Sequence, residues 1–354
     1  MGSMNRQVDL NFWAGKRVLV TGHTGFKGSW LTFWLEKMGA AVFGVSLNPN
    51  THPSLWEELK PHLKADDFRG DIRGGSWKEF VARFRPEIVF HLAAQPLVVT
   101  GWEDPLLTYD TNVTGTANLL QELNQIESVK VILVVTTDKV YLLDGLKTSR
   151  DENSLLGGKD PYAVSKVCVE HMVASWPVSE NIRIATARSG NVIGGGDWAR
   201  DRLLPDIVRA AFSAELLDVR LPHAIRPWQH VLEPLYGYLL MAESLFSGQK
   251  EIRTMNFGPS SQNQVSVQEI IDFCISHISP GYSFETSLKS GSYLESDYLM
   301  LNSEYAKQEL NWAPVMEWKK SVTLTLEWYL GFKNGKTAVE LLNGDIEYFL
   351  GQLA

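Results

Sequence analysis

Tyr162 and Lys166 stand four residues apart in Tyr-Ala-Val-Ser-Lys, directly after Asp160-Pro161. Positions i and i+4 share one face of a helix, and Asp-Pro is a helix-start signal. An ammonium beside a phenol lowers its pKa from about 10 toward neutrality. Such a phenol can exchange a proton with a substrate hydroxyl. Taken alone, the pair is equally an exposed helix pair. Upstream, the β-branched run Val129 to Val135 leads into Thr136-Thr137-Asp138-Lys139-Val140-Tyr141. Chemistry in open parallel sheets gathers beyond the carboxyl ends of strands. There the Thr137 hydroxyl can polarise a reacting oxygen, with Asp138 and Lys139 as an adjacent acid and base. A plain alcohol oxidation needs no such pair. The alternative for Asp138-Lys139 is a solvated turn with a local ion pair.

A second constellation is Thr21-Gly-His-Thr-Gly-Phe-Lys-Gly28, after an apolar run and ahead of a helical pattern. Gly22 and Gly25 let the backbone turn tightly and approach a pyrophosphate, and the helix amino end adds free N–H groups and a positive dipole. Gly22, Thr24, Gly25 and Phe26 are therefore expected to bind a dinucleotide. A helix-entry turn is the plain alternative. The second strand ends Val45-Ser46-Leu47-Asn48, with no carboxylate for a ribose diol and no arginine for a 2′-phosphate, so these residues leave NAD and NADP both open. Asp71-Ile72, after the third strand, can hold the adenine amine or form a surface turn.

Positioning these groups requires a sheet. Apolar runs at 16–21, 41–47, 67–72, 87–92, 129–135 and 182–187 alternate with helical patterns at 26–38, 77–85, 105–124 and 162–175. Continuous apolar strands separated by helices predict an α/β protein with a parallel sheet covered on both faces, a Rossmann-type doubly wound fold. After about Ser189, glycine, proline and tryptophan become dense, and further helices are expected at 203–212, 230–245, 267–277 and 318–332. The predicted division is a dinucleotide-binding domain over 12–189, with about 229–258 returning to it. A smaller mixed α/β, discontinuous substrate-binding domain takes most of 190–354.

The 354 residues carry 33 basic and 41 acidic side chains, a net charge of −8. That balance argues against a nucleic-acid partner or an anionic membrane surface. No apolar run approaches a membrane span. Cys168 and Cys274 are isolated, which suggests reduced thiols in a cytoplasm and no metal site. Met1-Gly-Ser-Met4 lacks a signal-peptide apolar region and reads as a cloning remnant before Met4.

Together these stretches resemble the extended short-chain dehydrogenase/reductase family over nearly the whole chain. The group they resemble most is the bacterial CDP-glucose 4,6-dehydratases. Supporting motifs are Thr21 to Trp30, His91-Leu-Ala-Ala-Gln-Pro-Leu97, Thr137-Asp-Lys139, Gly157 to Tyr162, Gly190-Asn-Val-Ile-Gly-Gly-Gly-Asp-Trp198 and Ile225-Arg-Pro-Trp-Gln-His-Val231. Leu142 to Leu156 departs from that group in length and aromatic content. The resemblance implies NAD as cofactor, held also by Ala93, Tyr162 and Lys166. It implies a nucleotide sugar facing Gln95, Asn191, Arg226 and Asn256, and a homodimer formed through helices at 107–123 and 162–175. Asn112 is expected to order the active-site helix, and Arg226 has a structural pair with Glu233 as its alternative. The implied reaction is oxidation at C4 with Tyr162 as base, elimination of water across C5–C6 by Lys139 and Asp138, and hydride return to C6, in deoxysugar synthesis for lipopolysaccharide. Water is a rival to Lys139 as the C5 base. A nucleotide-sugar 4-epimerase, lacking need of Asp138-Lys139, and a regulatory NAD-binding protein are the other readings.

Overall fold

In the computed structural model, residues 7–213, 215–248, 250–260, 264–278, 285–288 and 297–353 are described. Seven strands form one sheet: β1 (Arg17–Thr21), β2 (Ala41–Ser46), β3 (Asp66–Arg69), β4 (Ile88–His91), β5 (Val131–Val135), β6 (Arg183–Ser189) and β7 (Thr254–Phe257). Their spatial order is β7-β6-β5-β4-β1-β2-β3, and every pairing is parallel. The order in which strands are added reverses between β1 and β4, the switch point where such sheets bind ligands.

Alternation along the strands explains the two covered faces. Val18, Val20, Ile88, Phe90, Val131 and Leu133 point into a core shared with α1 (Phe26–Lys37) and α5 (Leu232–Ser247). Leu19, Val89, Ile132 and Val134 point the other way, against Leu119, Leu120 and Leu123 of α2 (Gly115–Leu123) and Val169 and Val173 of α3 (Pro161–Ser175). Each such fully buried aliphatic side chain contributes roughly 1.5–3 kcal/mol of transfer free energy, enough to dominate helix propensity. β7 extends the sheet beyond β6, with Asn256 opposite Arg188 and Phe257 opposite Ser189.

The structure departs from the sequence expectation in two places. The stretch 105–124, expected as one helix, contains a π-helical turn at Asp110–Thr114, which turns Asn112 inward. The chain also ends in a helix that the apolar patterning had not indicated, α7 (Ala338–Leu353), after α6 (Trp318–Lys333). Its stripe Leu342, Ile346, Phe349 and Leu353 is buried in the same core as α1, and the Phe349 ring meets Trp34 edge-on at 5.9 Å. Residues expected in the second domain thus cover the dinucleotide side, because an apolar stripe at helical spacing docks wherever a matching face exists.

Smaller strands carry the loops of the second half. Val192–Ile193 pairs with Gln229–His230, and Ile225–Arg226 with Val265–Ser266. The helix α4 (Leu203–Ser213) packs against α6 and the strand Leu216–Val219. Among the described residues no helix is long and apolar enough to cross a membrane.

Candidate active site

A cleft of about 310 Å³ opens at the carboxyl ends of β1, β5 and β6, lined among others by Lys27, Thr137, Asp138, Lys139, Tyr162, Asn191 and Arg226. Of the catalytic residues expected from the sequence, Thr137, Asp138, Lys139 and Tyr162 line it together, while Lys166 lies buried behind them. Asp160 caps α3 by accepting the Ala163 N–H, and Pro161 occupies the first turn. This fixes Tyr162 one step into the helix, where its phenol hydrogen-bonds Thr137. Thr137 in turn donates to Asp138 Oδ1 at 3.0 Å and accepts the Lys139 N–H at 3.3 Å. Lys166, one turn on, donates from Nζ to the Val135 carbonyl at 3.1 Å.

The electrostatics differ from the sequence expectation. Burial pushes the Tyr162 phenol up to about 12, with the Thr137 bond and Arg202 pulling it down and Asp138 pushing it up. Burial also brings Lys166 down to about 8. Desolvation, which penalises the phenolate itself, is the largest influence on Tyr162, in place of the lowering expected from Lys166. Asp138 is 2% exposed. Burial raises its carboxyl, against pulls from Lys139, Thr137, Arg226 and Lys27. Its Oδ2 is buried without a hydrogen-bond partner. Burial favours the protonated form of this carboxyl, which can deliver its proton to an oxygen placed at Oδ2.

Sequence reasoning passed over Lys27. Its Nζ donates to Ser189 Oγ at 2.8 Å, and burial brings it down to about 7, with Arg202 and Lys166 adding to the effect. The missed signal is a lysine in the first turn of a helix, the end whose dipole disfavours cations. Arg202, paired with Asp197 at 2.7 Å, also lines the cleft and was not singled out.

The glycine loop fits a dinucleotide. Gly22 has φ +74, and a Cβ there would lie 2.6 Å from the Ala93 nitrogen. At Gly25 a Cβ would meet only the Gly22 carbonyl oxygen, at 3.4 Å, so the space beyond is open. Gly25 caps α1 without a side-chain bond, so the N–H groups of the first turn, from Phe26 on, are free of side-chain capping. Thr24 ties the loop to the end of β2 through Ser46 Oγ at 2.7 Å and the Leu47 carbonyl at 3.1 Å. Gly28 serves close packing instead, since a Cβ there would be 2.2 Å from the Gly22 carbonyl oxygen. Gly28→Ala is expected to destabilise the fold by about 2 kcal/mol, the order of other overpacking changes, measured as a shifted urea midpoint. An unchanged midpoint would contradict this packing. Asp71 spends its carboxylate on Arg73 at 2.6 Å, and Ile72 is buried in the core.

Of the residues expected to face substrate, Asn191 and Arg226 line the cleft. Gln95 and Asn256 do not. Gln95 donates to the Leu97 carbonyl and Thr108 Oγ1 and accepts the Leu97 N–H, so it orders its own loop. Asn256 is 0% exposed. It accepts from the Tyr141 hydroxyl at 2.7 Å and donates to the Arg150 and Asn302 carbonyls. The Asn256 amide is consumed by segments far along the chain, and the Gln95 amide by its own loop and Thr108. Asn112 bonds Gln95 and donates to Ser165 of α3 at 2.9 Å, ordering the catalytic helix as expected. The alternative pairing of Arg226 with Glu233 does not form, because the Glu233 carboxylate accepts the Val315 and Met316 N–H groups. Trp228 lines the cleft, while His230 is a buried packing residue against Trp30.

Comparisons with known proteins show the family of the chain. The profile of the NAD dependent epimerase/dehydratase family matches residues 18–258. The chain is 40% identical over 340 residues to a CDP-glucose 4,6-dehydratase of Salmonella typhimurium, covering 93% of this chain and 94% of that protein. It is 25% identical to a UDP-glucose 4-epimerase of Mycoplasma pneumoniae, over 90% of this chain and 98% of that one. Its fold matches the dTDP-glucose 4,6-dehydratase of Bacillus anthracis solved with NAD, at TM-score 0.75 and 19% identity, over 93% of this chain and all (100%) of that one. With a glycine loop, a Tyr–Lys helix and a family match over most of its length, the chain belongs to the NAD dependent epimerase/dehydratase family.

Proposed function

We propose that the protein is a nucleotide-sugar 4,6-dehydratase that converts CDP-D-glucose to CDP-4-keto-6-deoxy-D-glucose and water. The observation that carries this reading is Asp138: a buried carboxyl with an unpartnered oxygen in the cleft, beside Lys139 and the Thr137–Tyr162 pair. An epimerase needs no acid there. Bound NAD supplies the hydride acceptor and returns the same hydride, so no cofactor is consumed. Gly22, Gly25 and the first turn of α1 would hold its pyrophosphate, and Lys166 would help to hold its nicotinamide half. Tyr162 takes the proton of the sugar 4-hydroxyl, with Thr137 bonding the phenol. Once C4 is a ketone, the C5 proton is acidified and Lys139 takes it. Asp138 gives its proton to the 6-hydroxyl, which leaves as water; with the hydride returned to C6, Lys139 gives a proton back to C5 and completes the 6-deoxy product. Arg226 and Asn191 orient the nucleotide, since a guanidinium fork matches a diphosphate.

The test is to incubate the protein with CDP-glucose and NAD and to follow the product by mass spectrometry. Loss of one water is expected; an isomer of unchanged mass would replace the dehydratase reading by epimerisation. Arg226→Ala is expected to weaken CDP-glucose binding about tenfold or more while leaving NAD binding within about threefold, the scale of one charge-assisted contact. Equal loss of both affinities, by calorimetry, would make Arg226 structural. Gly25→Val is expected to fold and to lose NAD binding, because the branched side chain fills the space in front of the loop. Unchanged NAD affinity would remove the loop from the site.

This reading includes a homodimer through the helices at 107–123 and 162–175, measurable by analytical ultracentrifugation. It places residues 12–189 and 229–258 on the cofactor side and most of 190–354 on the substrate side. Free thiols at Cys168 and Cys274 go with a cytoplasmic setting, in the supply of deoxysugars for lipopolysaccharide.

A further inference from the structure

In a doubly wound dinucleotide site the adenosine ribose lies at the carboxyl end of the second strand, where NAD-selective proteins carry an Asp or Glu. That carboxylate binds the ribose hydroxyls and repels a 2′-phosphate. Here β2 ends at Ser46 and continues as Leu47-Asn48, with no acid. The sequence shows no arginine there either, but the fold supplies one. Ser46 and Arg69 are register partners in the parallel β2–β3 pair. The Arg69 guanidinium reaches back over the strand end and donates from Nη1 to the Leu47 carbonyl at 3.3 Å.

A second cation lies beside it. Lys60 Nζ and Arg69 Nε share one carboxylate, Asp67, at 3.0 and 2.6 Å. Both also lie over the Trp56 ring, at 5.7 and 5.6 Å from its centroid. His23, at 3.3 Å, also faces Asp67 and is held neutral by burial. Glu57 faces His52 at 3.4 Å. Two cations against one shared carboxylate leave the Lys60–Asp67–Arg69 group net positive. A groove opens directly onto it, lined by Asn48, His52, Trp56, Lys60 and Arg69, with Glu57 as its one acid, set against His52. Arg69 is exposed on its outer side, and its bonds to Leu47 and Asp67 engage two of the five N–H donors of a guanidinium. A planar cation with spare donors at a ribose site without an acid is what a phosphate monoester requires.

We infer that the adenosine ribose site admits a 2′-phosphate bound by Arg69 with Lys60 beside it, so that the protein takes NADP(H) as well as NAD(H). This rests on the dinucleotide reading of the glycine loop. The 2′-phosphate is far from the reacting ring, and the hydride taken is the hydride returned, so either nucleotide balances the proposed reaction.

Calorimetric titration of NADH and NADPH into the full chain tests it. NADPH is expected to bind within about tenfold of NADH. Arg69→Ala is expected to weaken NADPH by about tenfold or more and NADH by less than about threefold, the size of one charge-assisted hydrogen bond. Asn48→Asp, an exposed loop change that does not touch Arg69 packing, is expected to weaken NADPH by a similar factor and to leave NADH equal or tighter. Binding of NADH without NADPH in the parent, or equal losses for both nucleotides in Arg69→Ala and in Asn48→Asp, would overturn the inference while leaving the NAD site standing. Failure of the parent to bind either nucleotide would overturn the dinucleotide reading as well.

Discussion

Tyr162→Phe is expected to lower kcat with CDP-glucose about 10³-fold, within the range of a lost general base, with fold and NAD affinity nearly unchanged. The reason lies in the site. The ring is 8% exposed and packed at the start of α3, and phenylalanine keeps that packing. Only the phenol oxygen is lost, the atom that hydrogen-bonds Thr137 and accepts the sugar proton. Burial pushes this phenol up to about 12, so at neutral pH it is almost wholly protonated. The positive charge of oxidised NAD, once bound, would favour the phenolate and bring it toward the working range. The rate in the parent enzyme should therefore rise with pH along an acid limb, because the reacting form is the deprotonated one. In Tyr162→Phe that limb should vanish. Activity within tenfold of the parent would remove Tyr162 from the base role.

The second large effect separates dehydration from oxidation. Asp138→Asn keeps the shape of the buried side chain but deletes its transferable proton. Oxidation at C4 should continue, while loss of the 6-hydroxyl slows by about 10²–10⁴-fold, the span of general acid catalysis. The near-ultraviolet absorbance of reduced nicotinamide should then build up on the protein without release of product. The neighbouring Lys139 acts earlier in the elimination. Parent enzyme in D₂O should place deuterium at C5 of the product, and Lys139→Ala should slow that incorporation. Full dehydration by the Asp138→Asn, Lys139→Ala double variant would sink the mechanism, as would a product that keeps its 6-hydroxyl. Unchanged deuterium entry in Lys139→Ala alone would transfer the C5 step to water.

Much of this was legible in the residues. Alternating apolar strands, the Gly22–Gly25 loop and the Asp160-Pro161 start of α3 are local signals, and each gives the element expected from it. Spacing alone puts Tyr162 and Lys166 on one face, and the end of β5 delivers Thr137, Asp138 and Lys139 to the same cleft. The signals fail where a side chain is claimed from afar. Asn256 lies in β7, and Tyr141, Arg150 and Asn302 consume its amide. Gln95 is consumed nearer by, by Leu97 in its own loop and by Thr108.

The amino-acid sequence by itself determines the sheet, the dinucleotide loop and the catalytic set, because strand alternation, turn glycines and i,i+4 spacing act over a few residues. Only the tertiary structure decides the charge states and the occupants of the cleft. Burial, not the nearby lysine, governs Tyr162, Lys166 and Asp138. Lys27 enters the site because β1, β6 and the start of α1 converge there, and Arg69 reaches the ribose end because β3 pairs with β2. Desolvation and through-space charge depend on which distant segments meet, and chain spacing carries no record of that.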